Sequence, residues 1–414
     1  MQTSEQNTMV VVGAGHCGGR AVQALRDLGW AGVTHLIGDE AHAPYERPPL
    51  SKDLLTGERE AGSCALMSDS DGSALNVQRH VAKAVRIDTQ GKTVALSNGD
   101  VLPYQALLLA TGGRARSLSL PGADLPGVLS LRTLNDAQAL APRLVAGQRL
   151  AVIGGGFIGL EVAASARKLG CEVTLVEGAP RLMGRAVPEA LAGRALRLHR
   201  ARGTHVLLGA SPTRIESTSQ GLVLHLADGS SVEADTVVVG IGIEPGVDLA
   251  RDAGLTVQRG VVVNAQLQTS DPAVYAAGDV AEFPSAMSGE LIRQETWHNA
   301  ETQARVVAQN MMGGQTPYVS HPWFWSDQYD HQLQVSGEPG LAVSTVTRPL
   351  EGDDVLVFYS DAHGKLVGAC GWGLSSRMSK ELKLARTLVE RGVAPAAAAL
   401  ADPTVKLKSL LSGH

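Results

Sequence analysis

An α/β fold carrying two parallel-sheet units is expected for this chain of 414 residues, on three observations. The same strand–turn–helix–strand pattern occurs twice, over residues 9–40 and 149–178. Each copy opens on a short uninterrupted apolar run, Met9–Val12 and Leu150–Ile153, which is the pattern of a strand covered on both faces. Glycine is abundant, with 47 residues, and falls directly after both runs. At roughly 150 residues per domain, the length allows two or three domains.

The elements follow in order. After the first strand come Gly13, Gly15 and Gly18, then Ala21, Leu25 and Leu28 at helical spacing, and Gly29 to end the helix. After the second come Gly154, Gly156 and Gly159, then Val162, Ala166 and Leu169, and Gly170. A further apolar strand closes each copy near an acid, Asp39 or Glu40 in the first and Glu177 in the second. This spacing suits a dinucleotide. The first glycine makes the tight turn, the second lets backbone approach a pyrophosphate, and the third lets helix pack on strand. The helix N-terminus offers unpaired N–H groups to the anion, and the acid reaches ribose hydroxyls. Glu177 would repel a 2′-phosphate, which favours NAD over NADP there; Arg181 nearby is read as a solvated charge. A third segment, Gln268–Asp279, ends a strand on small residues and Asp279, where a carboxylate can accept polyol hydroxyls or cap a following helix.

Composition excludes several classes. The formal charge of −5 argues against nucleic acid as the main partner. No apolar run reaches the 18 residues of a membrane span, and the first eight residues lack the pattern of a signal peptide. Cys17, Cys64, Cys171 and Cys370 form no CxxC pair, which excludes a dithiol redox motif; no metal site is expected, and a reducing cytoplasm fits.

Together the motifs GAGHCG, PYERPPLSK (Pro44–Lys52), ATGG (Ala110–Gly113), LRTLNDA (Leu131–Ala137), GGGFIGLE (Gly154–Glu161), GIGIEP (Gly240–Pro245), QTSDPAVYAAGD and PWFWSDQY (Pro322–Tyr329) resemble the FAD-dependent NADH:ferredoxin reductases of bacterial oxygenase systems. The resemblance covers nearly the whole chain. PYERPPLSK and PWFWSDQY are its discriminating parts. It implies two Rossmann-like domains of the glutathione-reductase type, one inserted in the other. An FAD domain would span 1–115 and 244–318, an NAD domain 116–243, and a C-terminal α+β domain 319–414. It places Gly13, Gly15, Cys17, Gly18, Asp39, Lys52, Ala84, Thr111, Gly112, Arg132, Asp279 and Trp297 at FAD. Gly155, Gly156, Ile158, Gly159, Glu177 and Gly242 would line NAD. The Glu244-Pro245-Gly246 stretch departs from the family's usual Pro-Asn continuation and leaves the contacts there open.

The implied activity passes hydride from NADH to FAD, then single electrons to a [2Fe–2S] ferredoxin serving a cytochrome P450 or a Rieske-type oxygenase. The cofactors carry that reaction, so the protein's part is position and electrostatics. Lys52 and Glu161 are the expected catalytic pair: a cation beside the flavin and, by the resemblance, an acid close to it that keeps both groups charged in a partly buried site. Disulfide reductases carry cysteines where this chain reads PYERPPLSKDLL, so thiol chemistry is not expected. Residues 365–414 carry eight Lys/Arg against three acids, and Ser379–Gly392 reads as an amphipathic helix with Leu382, Ala385 and Leu388/Val389 inward. Its basic face and Arg305 are candidates for docking an acidic partner. Two other readings remain, a small-molecule reductase of the monodehydroascorbate-reductase type and a non-enzymatic FAD/NADH-binding redox sensor.

Overall fold

The computed structural model describes residues 7–67, 76–184 and 186–412. The start of the N-terminal stretch weighed above as a signal peptide, Met1–Gln6, lies outside them. The chain groups into two units: residues 1–47, 62–114 and 244–322 form the first, and residues 48–61, 115–243 and 323–414 the second.

The first unit is built on a five-stranded parallel sheet. Its strand order is Val274–Ala276, Ala106–Leu109, Thr8–Val12, Val33–Gly38, Val77–Val81. Thr8–Val12 is central, and every one of its residues is buried, which is why it needs no alternation. The helix His16–Asp27 turns Ala21, Val22 and Leu25 inward, and Gly29 leaves it at φ +89°. A second helix, Trp297–Met311, starts at Thr296, whose hydroxyl accepts the Asn299 N–H. A three-stranded antiparallel sheet, Ala84–Asp88, Thr93–Leu96 and Val101–Pro103, adds Ile87, Val94 and Leu96 to the same core.

The second unit repeats the scheme. Its parallel sheet runs His205–Leu208, Glu172–Glu177, Arg149–Ile153, Thr236–Val239, Val128–Ser130. The helix Phe157–Lys168 buries all its residues from Gly159 to Ala166, Glu161 included. Joined to it is a five-stranded antiparallel sheet in the order Trp323–Gln328, His331–Gly337, Leu366–Leu374, Val355–Ser360, Ser344–Pro349. The helix Ser375–Glu390 covers that sheet with Met378, Leu382, Ala385, Leu388 and Val389, the inward face expected from its spacing. The short segment Pro48–Ala61 belongs to this unit because hydrogen bonds hold it there. The Ser165 hydroxyl donates to the Ser51 carbonyl at 2.8 Å, and the Ser51 hydroxyl to Glu161 at 2.5 Å.

Candidate functional site

In the first unit, the loop after Thr8–Val12 is shaped by three glycines with different duties. A Cβ on Gly13 would lie 2.1 Å from the Ala110 carbonyl oxygen, and φ is +117°. A Cβ on Gly18 would lie 1.9 Å from the Gly13 oxygen, so only glycine lets this helix approach. Gly15 is different. Its Cβ would meet nothing nearer than Arg47 at 3.8 Å, which leaves one side of the loop open. The first N–H groups of the helix His16–Asp27 have no intrahelical partners, so this open loop suits an anion.

Cys17, Asp39, Ala84, Thr111, Gly112, Asp279 and Trp297 belong to the same unit. Cys17 is buried against Gly278, the neighbour of Asp279, and burial together with the Asp279 and Glu301 carboxylates keeps its thiol protonated. A neutral thiol does not oppose a pyrophosphate. The Thr111 hydroxyl donates to the Gly246 carbonyl at 2.7 Å, and Gly112 takes φ +59°. Trp297 opens its helix with its ring 5.3 Å from the His16 ring. His16 Nε2 and Arg20 both reach the Glu301 carboxylate at 2.8 Å; the His16 hydrogen bond first, then Arg20, holds Glu301 below the ordinary carboxylate range. Glu40 is engaged by Arg47 at 2.8 Å and by the Tyr45 hydroxyl at 2.5 Å, whereas Asp39 is largely exposed with Lys83 at 3.8 Å. Ala84 begins the antiparallel sheet, paired with Leu96.

The second unit carries the parallel loop. A Cβ on Gly154 would lie 2.4 Å from the Gly240 oxygen and one on Gly159 2.0 Å from the Gly154 oxygen, while one on Gly156 would meet nothing within 4 Å. Ile158, in the first turn of the helix, is exposed. Glu177 accepts the Gly155 N–H at 2.6 Å and the Ala179 N–H at 2.7 Å, so the carboxylate braces the very loop it follows. Gly242, at φ +100°, accepts the Arg116 N–H. Arg181 is not the solvated charge expected: half-buried, it donates to the Val187 carbonyl at 3.0 Å, a backbone acceptor six residues on. Arg132 lies at the turn before the helix Leu134–Leu140, its N–H held by Asp136.

The same unit brings Lys52 and Glu161 together, from positions 109 apart in sequence, with Nζ and Oε1 at 3.7 Å. Glu161 is almost fully buried. Its two oxygens accept the Ser51 and Ser326 hydroxyls at 2.5 and 2.7 Å. Burial raises the carboxyl's pKa, against the opposing pull of Lys52 and the two serines. Burial alone would lower Lys52, but the carboxylates of Glu161 and Asp327 outweigh it and hold the ammonium above its ordinary range. Asp327 was not singled out from sequence. It accepts Lys52 Nζ at 2.8 Å, closer than Glu161 does, and the Lys52 ammonium lies 5.6 Å from the Trp325 ring centre. Its signal was the alternation in PWFWSDQY, which assigns every second residue of a strand to one face.

Among the described residues, no cluster of three or more His, Cys, Asp or Glu is gathered for a metal ion, and no helix is long and apolar enough to cross a membrane. None of the four cysteines is in a disulfide, and all four are buried. The first unit alone thus fits one dinucleotide, and the second another beside a charged lysine centre, which is the layout of a two-nucleotide oxidoreductase.

Comparison with known proteins agrees. Residues 7–304 match the pyridine nucleotide-disulphide oxidoreductase family and residues 323–411 the reductase C-terminal family, and the chain belongs to this class of reductases. It is 42% identical over 410 residues to the anthranilate 1,2-dioxygenase system ferredoxin–NAD(+) reductase component of Burkholderia cepacia, covering 97% of this chain and 98% of that one. The crystal structure of the ferredoxin reductase for the CYP199A2 system from Rhodopseudomonas palustris superposes with a TM-score of 0.91 at 36% identity, covering 97% and 99% of the two chains. Putidaredoxin reductase in its covalent complex with putidaredoxin does so with a TM-score of 0.92 at 34% identity, covering 98% of each.

Proposed function

We propose that the chain is the NADH-oxidising reductase of an oxygenase system. It passes electrons from NADH through FAD to a [2Fe–2S] ferredoxin, which supplies a cytochrome P450 or a Rieske-type oxygenase. The observation that carries this is the pair of open glycine loops, one in each unit, together with the second unit's own lysine centre of Lys52, Glu161 and Asp327. Bound FAD supplies the conversion of a two-electron hydride donor into one-electron steps.

The remaining work belongs to the chain. Gly13, Gly15, Cys17 and Gly18 cradle the FAD pyrophosphate. Asp39, Ala84, Thr111, Gly112, Arg132, Asp279 and Trp297 complete its contacts. Gly155, Gly156, Ile158, Gly159, Glu177 and Gly242 hold NAD. Lys52 presents its ammonium to the flavin, and Glu161 is its buried partner. The FAD domain is residues 1–115 and 244–318, the NAD domain 116–243 and the flavin-covering domain 319–414. Burial raises the pKa of the Cys17, Cys171 and Cys370 thiols, which disfavours the reactive thiolate at those three positions. A cytoplasmic location accords with four cysteines that form no disulfide.

Anaerobic NADH should bleach the flavin of the purified yellow protein at once. Cytochrome c should then be reduced quickly only when a ferredoxin is added. Flavin that NADH leaves oxidised, or equal rates without ferredoxin, would refute the assignment.

A further inference from the structure

The strand Trp323–Gln328 presents two different faces. Phe324 and Ser326 turn toward the helix Phe157–Lys168: Phe324 meets Phe157 with ring centres 5.1 Å apart, and Ser326 donates to Glu161. Gln328, on the same face, accepts His199 Nε2 at 3.1 Å. Trp323, Trp325 and Asp327 point the other way, beside Gln332 and Gln334 of the partner strand, with Asp327 opposite Gln332 and Trp325 opposite Gln334.

On that second face the polar groups form one directed chain. Trp323 Nε1 donates to Gln334 Oε1 at 2.9 Å, Gln334 donates to Gln332, and Gln332 donates to Asp327 Oδ1 at 2.7 Å. The other oxygen, Oδ2, accepts both Trp325 Nε1 at 3.0 Å and Lys52 Nζ at 2.8 Å. Trp323 and Trp325 stack with centres 5.0 Å apart, and Arg386 lies 5.0 Å over Trp323.

We propose that Asp327 is the positioning residue of the lysine centre: it, rather than Glu161, fixes Lys52 Nζ and ties it to both indoles. This rests on the reading that Lys52 faces the flavin. The geometry separates the two acids. Nζ is within hydrogen-bond distance of Asp327, but its 3.7 Å separation from Glu161 exceeds that limit. Glu161 already has each oxygen occupied by a serine hydroxyl, so its geometry does not depend on Lys52. Asp327 is itself held by Gln332, which gives the ammonium a rigid anchor.

The test uses the holoenzyme and its Asp327→Asn, Asp327→Glu, Glu161→Gln and Lys52→Met variants. The first readout is the rate at which acetic anhydride acylates the Lys52 amine, followed by mass spectrometry. Asp327→Asn should raise it about tenfold, the equivalent of one pKa unit, and Glu161→Gln should raise it less. Unchanged labelling in Asp327→Asn, or a larger rise in Glu161→Gln, overturns the proposal. The second readout is the flavin midpoint potential. It should rise in Asp327→Asn, where the ammonium loses its nearest anion, and return toward the wild-type value in Asp327→Glu. A purely structural Asp327 would lower the melting temperature and leave the potential in place, which also overturns the proposal. If Lys52→Met itself leaves the potential unmoved, the reading of Lys52 at the flavin has failed, and the labelling alone decides the pairing.

Discussion

Glu177 shows how one side chain serves two purposes. Its carboxylate accepts the N–H groups of Gly155 and Ala179, so it shapes the loop that would bind the nicotinamide cofactor's pyrophosphate. Its charge would also repel a 2′-phosphate. Glu177→Gln keeps one acceptor oxygen and removes the charge. We expect the KM for NADH to rise about tenfold, near the 1.4 kcal/mol of a single lost charge-assisted bond, while the KM for NADPH falls. Steady-state kinetics with both cofactors checks it, and an unchanged NADH/NADPH ratio would refute the charge argument. The sequence disclosed this residue because the glycine loop and its acid are local in the chain. It disclosed Lys52 and Glu161 only by resemblance. Asp327 stayed hidden because its link to Lys52 joins positions 275 apart, and nothing in a six-residue strand says which lysine will meet it. The Arg181 contact is hidden for a related reason: the Val187 carbonyl that holds it lies six residues on, in a stretch without a spacing signature.

At the scale of elements, the two glycine loops make separable predictions. A methyl group on Gly18 would strike the Gly13 carbonyl oxygen at 1.9 Å, and one on Gly159 the Gly154 oxygen at 2.0 Å. Backbone must move in both cases, pushing each helix off its own strand. Gly18→Ala should therefore yield protein without visible flavin absorbance. Gly159→Ala should stay yellow yet fail to be reduced by NADH, while dithionite still bleaches it. Loss of flavin in both would mean that the second loop does not serve a different nucleotide. Another element-level contact carries a pH dependence. His199 joins the helix Glu189–Ala201 to Gln328 and is fully buried. Burial takes its pKa from 6.5 down to about 4, against the pull of the Gln328 hydrogen bond. Between those values the unfolded chain binds the proton and the folded one does not, so stability falls as pH drops from 6.5 toward 4, by at most about 3 kcal/mol. His199→Gln should flatten that slope in denaturant titrations across the window; an unaltered slope would show that other groups set it. Both paired-strand loops were legible in advance, since alternating glycine duties need only neighbours. The His199 contact was not, because a helix and a distant strand share no local pattern.

For the whole molecule, charge is unevenly spread. The chain is net −5, yet residues 365–414 carry eight Lys/Arg and three acids. The structure sorts these basic residues. Arg377 is half-buried and bound to Glu351 and Asp354, and Arg386 is taken up by Glu390 and Trp323. Lys380 and Lys383 remain exposed on the same helix and Arg391 at its C-cap, and Arg305 is exposed on the helix Trp297–Met311. A surface of exposed cations on an acidic chain steers an acidic partner at long range and adds little once contact is made. Ferredoxin-dependent cytochrome c reduction should accordingly fall steeply between low and physiological salt, as screening shortens to about 8 Å at 0.15 M. Reduction of ferricyanide, a small acceptor that needs no docking surface, should change far less. Lys380→Glu with Lys383→Glu should reproduce the salt effect at low ionic strength by raising the KM for ferredoxin while leaving flavin reduction by NADH intact. Equal salt sensitivity for the two acceptors, or a double variant with unchanged ferredoxin KM, would place the docking surface elsewhere.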